Sequence, residues 1–401
     1  MRAPQQYLEA LVELTVGFGA NVQQGQVVGI DAETGLEPYA RAVADAAYQG
    51  GARFVDVWYF DPHVKHSRLK HADAETLSYV PPWIGQRILD LGELHGSRIW
   101  LYGDTEPHLM DDLDPGLLGL DILPRRAETA IVVSNRSTNW TVVPIVTPGW
   151  ARTVFPDLPV ESAYNKLWET IADVCRLTQP DPVASWEARF ARLTEVIGKL
   201  SALELDSLHF EGPGTDLTVG LFEDSRWMCA AFETAWGLRH CPNLPSEEVF
   251  TTPDPTRTRG VATATKPLLI PGARAIPGLK VHFERGRAVR FEADSGAEAL
   301  VSMAARDDGA CRLGEVALVD RESRVGQTNQ LFHNILLDEN AASHIALGNG
   351  FAFAVDGDGV SQINRSGIHV DVMIGSDAVS VTGVTRGGDG VPLLRGGAWE
   401  I

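Results

Sequence analysis

Two side chains that can bind a metal ion interrupt an apolar run near the end of the chain. His369 and Asp371 lie in the segment from Ile368 to Ile374, which has the character of a β-strand. Side chains two residues apart in a strand point to the same face, so both can reach one point. Because His-x-Asp pairs are often ordinary hydrogen-bonded partners, this pair alone does not establish a metal site.

Other acids and a second histidine stand in similar apolar surroundings. Glu339 and His344 lie in a stretch that we predict to be a turn running into a short helix. Glu315 lies in an apolar strand, and Glu247 and Glu248 lie where a loop meets a strand. Buried charge is costly unless it is paired or bound to metal, and imidazole with carboxylate suits zinc, cobalt or manganese. These ligands exceed the needs of one tetrahedral ion, so we predict a two-metal site in which a bridging carboxylate and both ions hold a nucleophilic water.

The composition of the 401-residue chain indicates a globular protein large enough for two domains. Its 53 acidic and 34 basic residues give a net charge of −19, which disfavours binding to nucleic acid or an anionic membrane surface. No apolar run approaches the roughly 20 residues that a membrane helix needs. The four cysteines form no Cys-x-x-Cys motif and the N-terminus does not look like a signal peptide. We therefore expect reduced thiols and a cytoplasmic protein.

The first half of the chain alternates between helical and strand-like patterns, which is typical of an α/β domain with a parallel sheet. The predicted strands are Gln26–Asp31, Phe54–Phe60, Arg98–Gly103, Ala130–Ser134 and Trp140–Thr147. The sequence contains no glycine-rich dinucleotide motif opening a helix, no P-loop motif and no Gly-x-Ser-x-Gly motif. It therefore argues against dinucleotide-dependent, P-loop and serine-hydrolase chemistry.

A change of pattern divides the chain near residue 205. Two predicted helices, at 161–177 and 184–200, are followed from Ser207 onward by strands and turns. We therefore predict an N-terminal α/β domain over residues 1–205. Residues 206–401 are predicted to form a β-rich α+β domain that binds metal and carries the catalytic site, because every candidate ligand lies there.

Four segments around these candidate residues resemble the aminopeptidase T family of metallo-aminopeptidases, which includes aminopeptidase S and PepS-type enzymes. The segments are Asn243-x-Pro245-Ser246-Glu247-Glu248-Val249-Phe250, Gly314-Glu315-x-Ala317-Leu318-Val319, Asp338-Glu339-Asn340-Ala341-Ala342-x-His344 and His369-Val370-Asp371-x-Met373-Ile374-Gly375-Ser376. The resemblance runs nearly from end to end and is most specific after residue 210. Several motifs in the family's order are a strong signal, whereas any one of them would be weak.

The resemblance implies a two-domain homodimeric enzyme that uses two divalent ions (zinc, cobalt or manganese) to hydrolyse peptides with a free N-terminus. Glu315 is the bridging ligand in this assignment. Carried over by motif, the metal ligands are Glu248, Glu315, Glu339, His344, His369 and Asp371.

The resemblance leaves two positions less certain than the rest. Either Glu247 or Glu248 is the ligand; we assign Glu248 and treat Glu247 as a neighbour that relays a proton to the leaving amine. The family usually carries a tyrosine seven residues after the position of His344, and here that residue is Phe351. The expected catalytic positions are therefore Glu247, Glu315 and Phe351.

Two other functions stay open on the sequence. Ring-cleaving 2,5-dihydroxypyridine dioxygenases resemble this family, and their single non-haem iron needs two histidines and one carboxylate. His344, His369 and Asp371 would suffice, but the presence of Glu248 and Glu315 favours two metals and hydrolysis. A catalytically weak peptide-binding relative is the other alternative, because the expected tyrosine is absent.

Overall fold

The computed structural model describes residues 3–118, 120–121, 126–270 and 275–401, and the chain divides into two compact units. The first unit is Met1–Arg189, Ala230–Ser246 and Phe332–Leu336, and the second is Phe190–Cys229, Glu247–Leu331 and Leu337–Ile401. The first unit thus takes in two stretches that lie beyond residue 205. The domain limits 1–205 and 206–401 stay a prediction.

The elements up to residue 202 begin in the first unit. They are α1 (Gln5–Leu14), β1 (Val27–Glu33), α2 (Glu37–Gln49), β2 (Phe54–Phe60), α3 (Pro62–His71), α4 (Pro82–Glu93), β3 (Ser97–Tyr102), α5 (Pro115–Leu118), α6 (Arg126–Ser134), β4 (Asn139–Pro144), α7 (Pro148–Val154), α8 (Val160–Val174) and α9 (Pro182–Ala202). The four strands form one parallel sheet in the order β2-β1-β3-β4. The interior of β1 is buried, as expected for a parallel strand that is covered on both faces. The predicted α/β character of this part is confirmed.

One predicted strand in this unit is wrong. Ala130–Ser134 forms the last part of α6, which packs against α4. A short apolar run cannot be assigned to helix or strand by its pattern alone. The preceding residues, which include the good helix formers Ala127 and Glu128, extend the helix through it.

The remaining elements are mostly strands. They are β5 (Leu205–Gly212), β6 (Thr215–Leu221), β7 (Met228–Cys229), β8 (Phe232–Glu233), β9 (Arg239–His240), β10 (Glu248–Thr251), β11 (Pro253–Thr263), β12 (Lys280–Glu284), β13 (Arg287–Glu292), α10 (Ala297–Ala304), β14 (Leu313–Val319), α11 (Arg324–Gln327), α12 (Ile335–Asp338), β15 (His344–Gly348), β16 (His369–Met373), β17 (Ser380–Thr385), β18 (Gly390–Arg395) and β19 (Ala398–Trp399).

Two antiparallel sheets dominate the second unit. The larger has eight strands in the order β13-β12-β11-β6-β5-β17-β18-β19, and the smaller has five in the order β16-β15-β14-β10-β7. The hairpin of β8 and β9 belongs to the first unit. Among the described residues, no helix is both long enough and apolar enough to cross a membrane.

The segment around His344 differs from its prediction. A short helical stretch ends before this residue, with α12 followed by a 3₁₀ turn at Glu339–Ala341. His344 is the first residue of β15 and not part of a helix. The run after His344 is short and apolar, so the sequence pattern did not distinguish a helix from a buried strand.

Candidate metal centre

The candidate ligands on β14, β15 and β16 face the same way because of the strand register. Ala346 in the middle strand lies opposite Glu315 on one side and opposite Asp371 on the other. Gly348 lies opposite His369. Directly paired residues in an antiparallel sheet project to the same face, and residues two apart do so as well. Glu315, His369 and Asp371 therefore share one face of the five-stranded sheet.

The same register places His344 and Glu248 on this face of the sheet as well. His344 pairs with Ala317, and Glu248 pairs with Val319. Ala317 and Val319 follow Glu315 by two and four residues, so both lie on its face of β14. Four neighbouring strands thus present five candidate ligands on one surface.

The ligand atoms fall into two groups of three that share one residue. Glu248, Glu315 and His344 form one group, and Glu315, His369 and Asp371 form the other; within each group the ligand atoms lie within 4.8 Å of one another. His344 Nε2 lies 3.2 Å from Glu248 Oε2. His369 Nε2 lies 3.1 Å from Glu315 Oε2 and 3.3 Å from Asp371 Oδ1. The shared position of Glu315 is where a bridging carboxylate would stand.

Backbone carbonyls fix the orientation of both imidazoles. His344 Nδ1 donates to the Ala342 carbonyl oxygen at 3.1 Å, and His369 Nδ1 donates to the Asn349 carbonyl oxygen at 3.0 Å. A carbonyl oxygen can only accept, so Nδ1 carries a proton in each ring. Nε2 is therefore the atom that each histidine offers to the cluster, and this arrangement is common for metal-binding histidines.

The carboxylates around the histidines favour their protonated forms. Burial lowers the pKa of His344, but the hydrogen bond with Glu248 and the charges of nearby acids outweigh burial and raise that pKa to about 10. Burial also opposes the charged form of His369, yet Asp371 and Glu315 hold its pKa well above the usual value. In both cases the negative charge of neighbouring carboxylates stabilises the positively charged imidazole.

Burial and neighbouring negative charges raise the pKa of two acids of the cluster. Burial raises the pKa of Glu315, and the charge of Glu248 adds to this while His369 opposes it. Burial and the charges of Asp371, Glu248 and Glu315 raise the pKa of Glu339 well above its usual value. Glu339 belongs to neither three-residue group, but these charges act on it strongly. The cluster has four acids against two histidines, so its acids could all ionise only with further positive charge beside them.

Glu247 and Glu248 contact different residues. Its side chain is wholly buried. Its Oε1 accepts the backbone N–H of Arg324 at 3.4 Å, and its own N–H donates to Asn340 Oδ1 at 2.6 Å. Glu248, and not Glu247, belongs to a three-residue group of the described part of the chain. The assignment of Glu248 as the ligand is consistent with this geometry.

Phe351 lies beside the cluster. Its ring centroid is 5.3 Å from that of His369 and 5.3 Å from that of Phe353, on which it stacks. Its backbone N–H donates to Thr252 Oγ1 at 2.9 Å. Position 351 is therefore next to a candidate ligand and held by both backbone and ring contacts.

Small residues on the ligand face were missed from the sequence. Ala317, Ala346 and Gly348 lie among the ligands on that face. The sequence feature that could have identified them is the alternation of ligands and small residues, as in Glu315-x-Ala317 and His344-x-Ala346-x-Gly348. Small side chains leave space above the sheet, and the nitrogen and oxygen donors suit a borderline divalent ion. The residues present therefore fit a bound metal.

Comparison with known proteins identifies the family. Residues 4–399 match the family of thermophilic metalloproteases (M29). Aminopeptidase T of Thermus thermophilus is 38% identical over 410 residues, covering 100% of both chains, and aminopeptidase 2 of Geobacillus stearothermophilus is 35% identical, covering 98% of both. The solved structure of wild-type AmpT from Thermus thermophilus superposes with a TM-score of 0.89 at 37% identity, covering 100% of both chains. The chain belongs to the thermophilic metalloprotease (M29) family, as the sequence resemblance predicted.

Proposed function

We propose that this protein is a metal-dependent aminopeptidase that removes N-terminal residues from peptides with the help of two divalent ions. The observation that carries the proposal is the shared position of Glu315 in two three-residue ligand groups on one sheet face. Similarity to two aminopeptidases over nearly the full chain supports the reaction class.

Charge balance favours two ions over one. The acids of the cluster are Glu248, Glu315, Glu339 and Asp371, which carry four negative charges when ionised. Two divalent ions supply four positive charges, whereas one ion would leave two buried negative charges uncompensated. Uncompensated buried charge is strongly unfavourable, so the donor set suits two ions with neutral histidines.

The chemistry follows from the donor set. Divalent ions held there would lower the pKa of a water ligand to about 7 and would polarise a peptide carbonyl. Glu315 would hold both ions, His344 and His369 would bind through Nε2, and Glu339 would complete the set. A free α-amine is a further metal ligand that only the N-terminal residue of a peptide can offer, which limits the reaction to that end. Glu247 is the proposed relay for the proton that the leaving amine requires.

The relatives do not favour the dioxygenase alternative, since the matched family consists of metalloproteases and the two curated relatives compared above are aminopeptidases. The deciding experiment offers free and N-acetylated versions of the same peptides to protein reconstituted with zinc, cobalt or manganese. We expect cleavage of the free peptides alone, with two ions per chain by elemental analysis. Equal cleavage of acetylated peptides, or no cleavage by folded and fully metallated protein, would refute the proposal.

A further inference from the structure

The two ligand groups differ in how far their histidines reach into solvent. We call Glu248, Glu315 and His344 the inner subsite, and Glu315, His369 and Asp371 the outer subsite. The side chain of His344 is 2% exposed, whereas that of His369 is 24% exposed. The carboxylates do not differ in this way, since Glu248 is 10%, Asp371 8% and Glu315 6% exposed. Of the five grouped residues, His369 therefore has the most exposed side chain.

An alanine lies at the centre of each subsite. Ala346 has Glu315 and Asp371 directly across from it on its two neighbouring strands, and His369 diagonally across beside Gly348. These three neighbours are the outer subsite, and His344 of the inner subsite lies two residues before Ala346 on the same face of β15.

Ala317 has the same relation to the inner subsite. Glu315 precedes it by two residues on the same face of β14, and His344 lies directly across from it. Glu248 lies diagonally across on β10, opposite Val319. Ala317 and Ala346 are both 0% exposed, so each methyl group is covered. A larger side chain at either position would project among the ligand residues that surround it.

We propose that the two subsites are unequal, that the inner one retains its ion while the outer one exchanges it, and that Ala317 and Ala346 each set the room for one ion. This inference rests on the proposed function, because it assigns separate properties to the two ions of that site. The shell around a metal site controls the access of water and competing ligands, and the shell is more open at His369. A protein that has lost only its outer ion would then be folded but inactive, so metal supply would regulate its activity.

The first test follows metal loss from the wild-type protein. Fully loaded enzyme is dialysed against EDTA, and the metal retained per chain is measured by mass spectrometry at successive times. We expect two phases of one ion each, the first at least about tenfold faster than the second, because the histidine of the outer subsite is the more exposed of the two. Loss of both ions in a single phase would overturn the proposal.

The second test identifies the ion that each alanine accommodates. Valine favours strands, so Ala346→Val and Ala317→Val add bulk with little local cost to the strand. We expect Ala346→Val to bind one ion that leaves slowly, and Ala317→Val to lose that slow phase. Ala262→Val is the matched control, because Ala262 is a buried alanine in β11 of the other sheet; it should keep both phases.

The outcomes separate this inference from the proposed function. Two ions with both phases unchanged in Ala346→Val would overturn the role of that alanine. If a valine variant fails to fold, the time course of the wild-type protein still decides whether the subsites are unequal. Two-phase metal loss from a protein that cleaves no peptide would refute the proposed function and leave the inequality of the subsites standing.

Discussion

Replacing Phe351 with tyrosine would place a hydroxyl group beside the candidate metal centre. The ring of Phe351 lies 5.3 Å from that of His369 and is tilted by 51° to it. Stacking on Phe353, at an interplanar angle of 27°, and the hydrogen bond from the backbone to Thr252 hold the residue in place. A hydroxyl carried by such a fixed ring would need little additional ordering to donate to the oxyanion that forms at the scissile carbonyl.

The size of the effect can be bounded. Removal of one preorganised oxyanion donor typically costs about 10²–10³ in kcat, or roughly 3–4 kcal/mol. A donor added to a site that has adapted to its absence will recover only part of that. We expect Phe351→Tyr to raise kcat by about tenfold, which corresponds to about 1.4 kcal/mol of transition-state stabilisation. KM should change less, because the oxyanion exists in the transition state and not in the bound substrate.

The assay is steady-state hydrolysis of a good unblocked peptide, with metal content measured on the same samples. Phe353→Tyr is the matched control, because it adds the same hydroxyl to the ring stacked on Phe351. It should leave kcat nearly unchanged. An unchanged or lower kcat in folded, fully metallated Phe351→Tyr would show that position 351 does not limit the reaction.

Two further predictions concern the bridging carboxylate and the assembly. Glu315→Gln should lose activity and metal more completely than Glu247→Gln, because a bridging carboxylate controls both ions while a neighbouring acid only tunes them; equal, mild losses in kcat and metal content would contradict the bridging assignment. The homodimer implied by the family resemblance should give twice the 43.5 kDa chain mass in light scattering, and a mass of one chain at micromolar concentration would exclude it.

Local patterns in the sequence were sufficient for part of the site. The strand that carries His369 and Asp371 was predicted, and its two-residue period correctly placed both on one face. The apolar strand around Glu315 and the parallel sheet of the first unit were also predicted. The two strands depend on neighbours within one segment, where periodicity is informative, and the parallel character of the sheet follows from the alternation of strands with helices.

The pairing of distant strands could not be read from the sequence. β14 contains a register shift between Leu313 and Glu315, so these residues face opposite ways although they are two apart. Gly314 occupies the shift, and an added Cβ would overlap the carbonyl oxygen of Asn349. Only the observed register puts Glu315 opposite Ala346 and thus next to Asp371. The alanines between the ligands became recognisable only once that register was known.

The distribution of the ligands over four strands has a consequence for folding. The inner subsite requires the pairing of β10, β14 and β15, and the outer subsite requires the pairing of β14, β15 and β16. Each complete subsite would therefore form only after three strands have paired. Metal that binds the native state and only weakly the unfolded chain would stabilise the fold: a thousandfold excess over Kd would add about 4 kcal/mol, which is measurable as a melting temperature that rises with free metal. Metal starvation would then shorten the lifetime of the protein as well as stop its reaction.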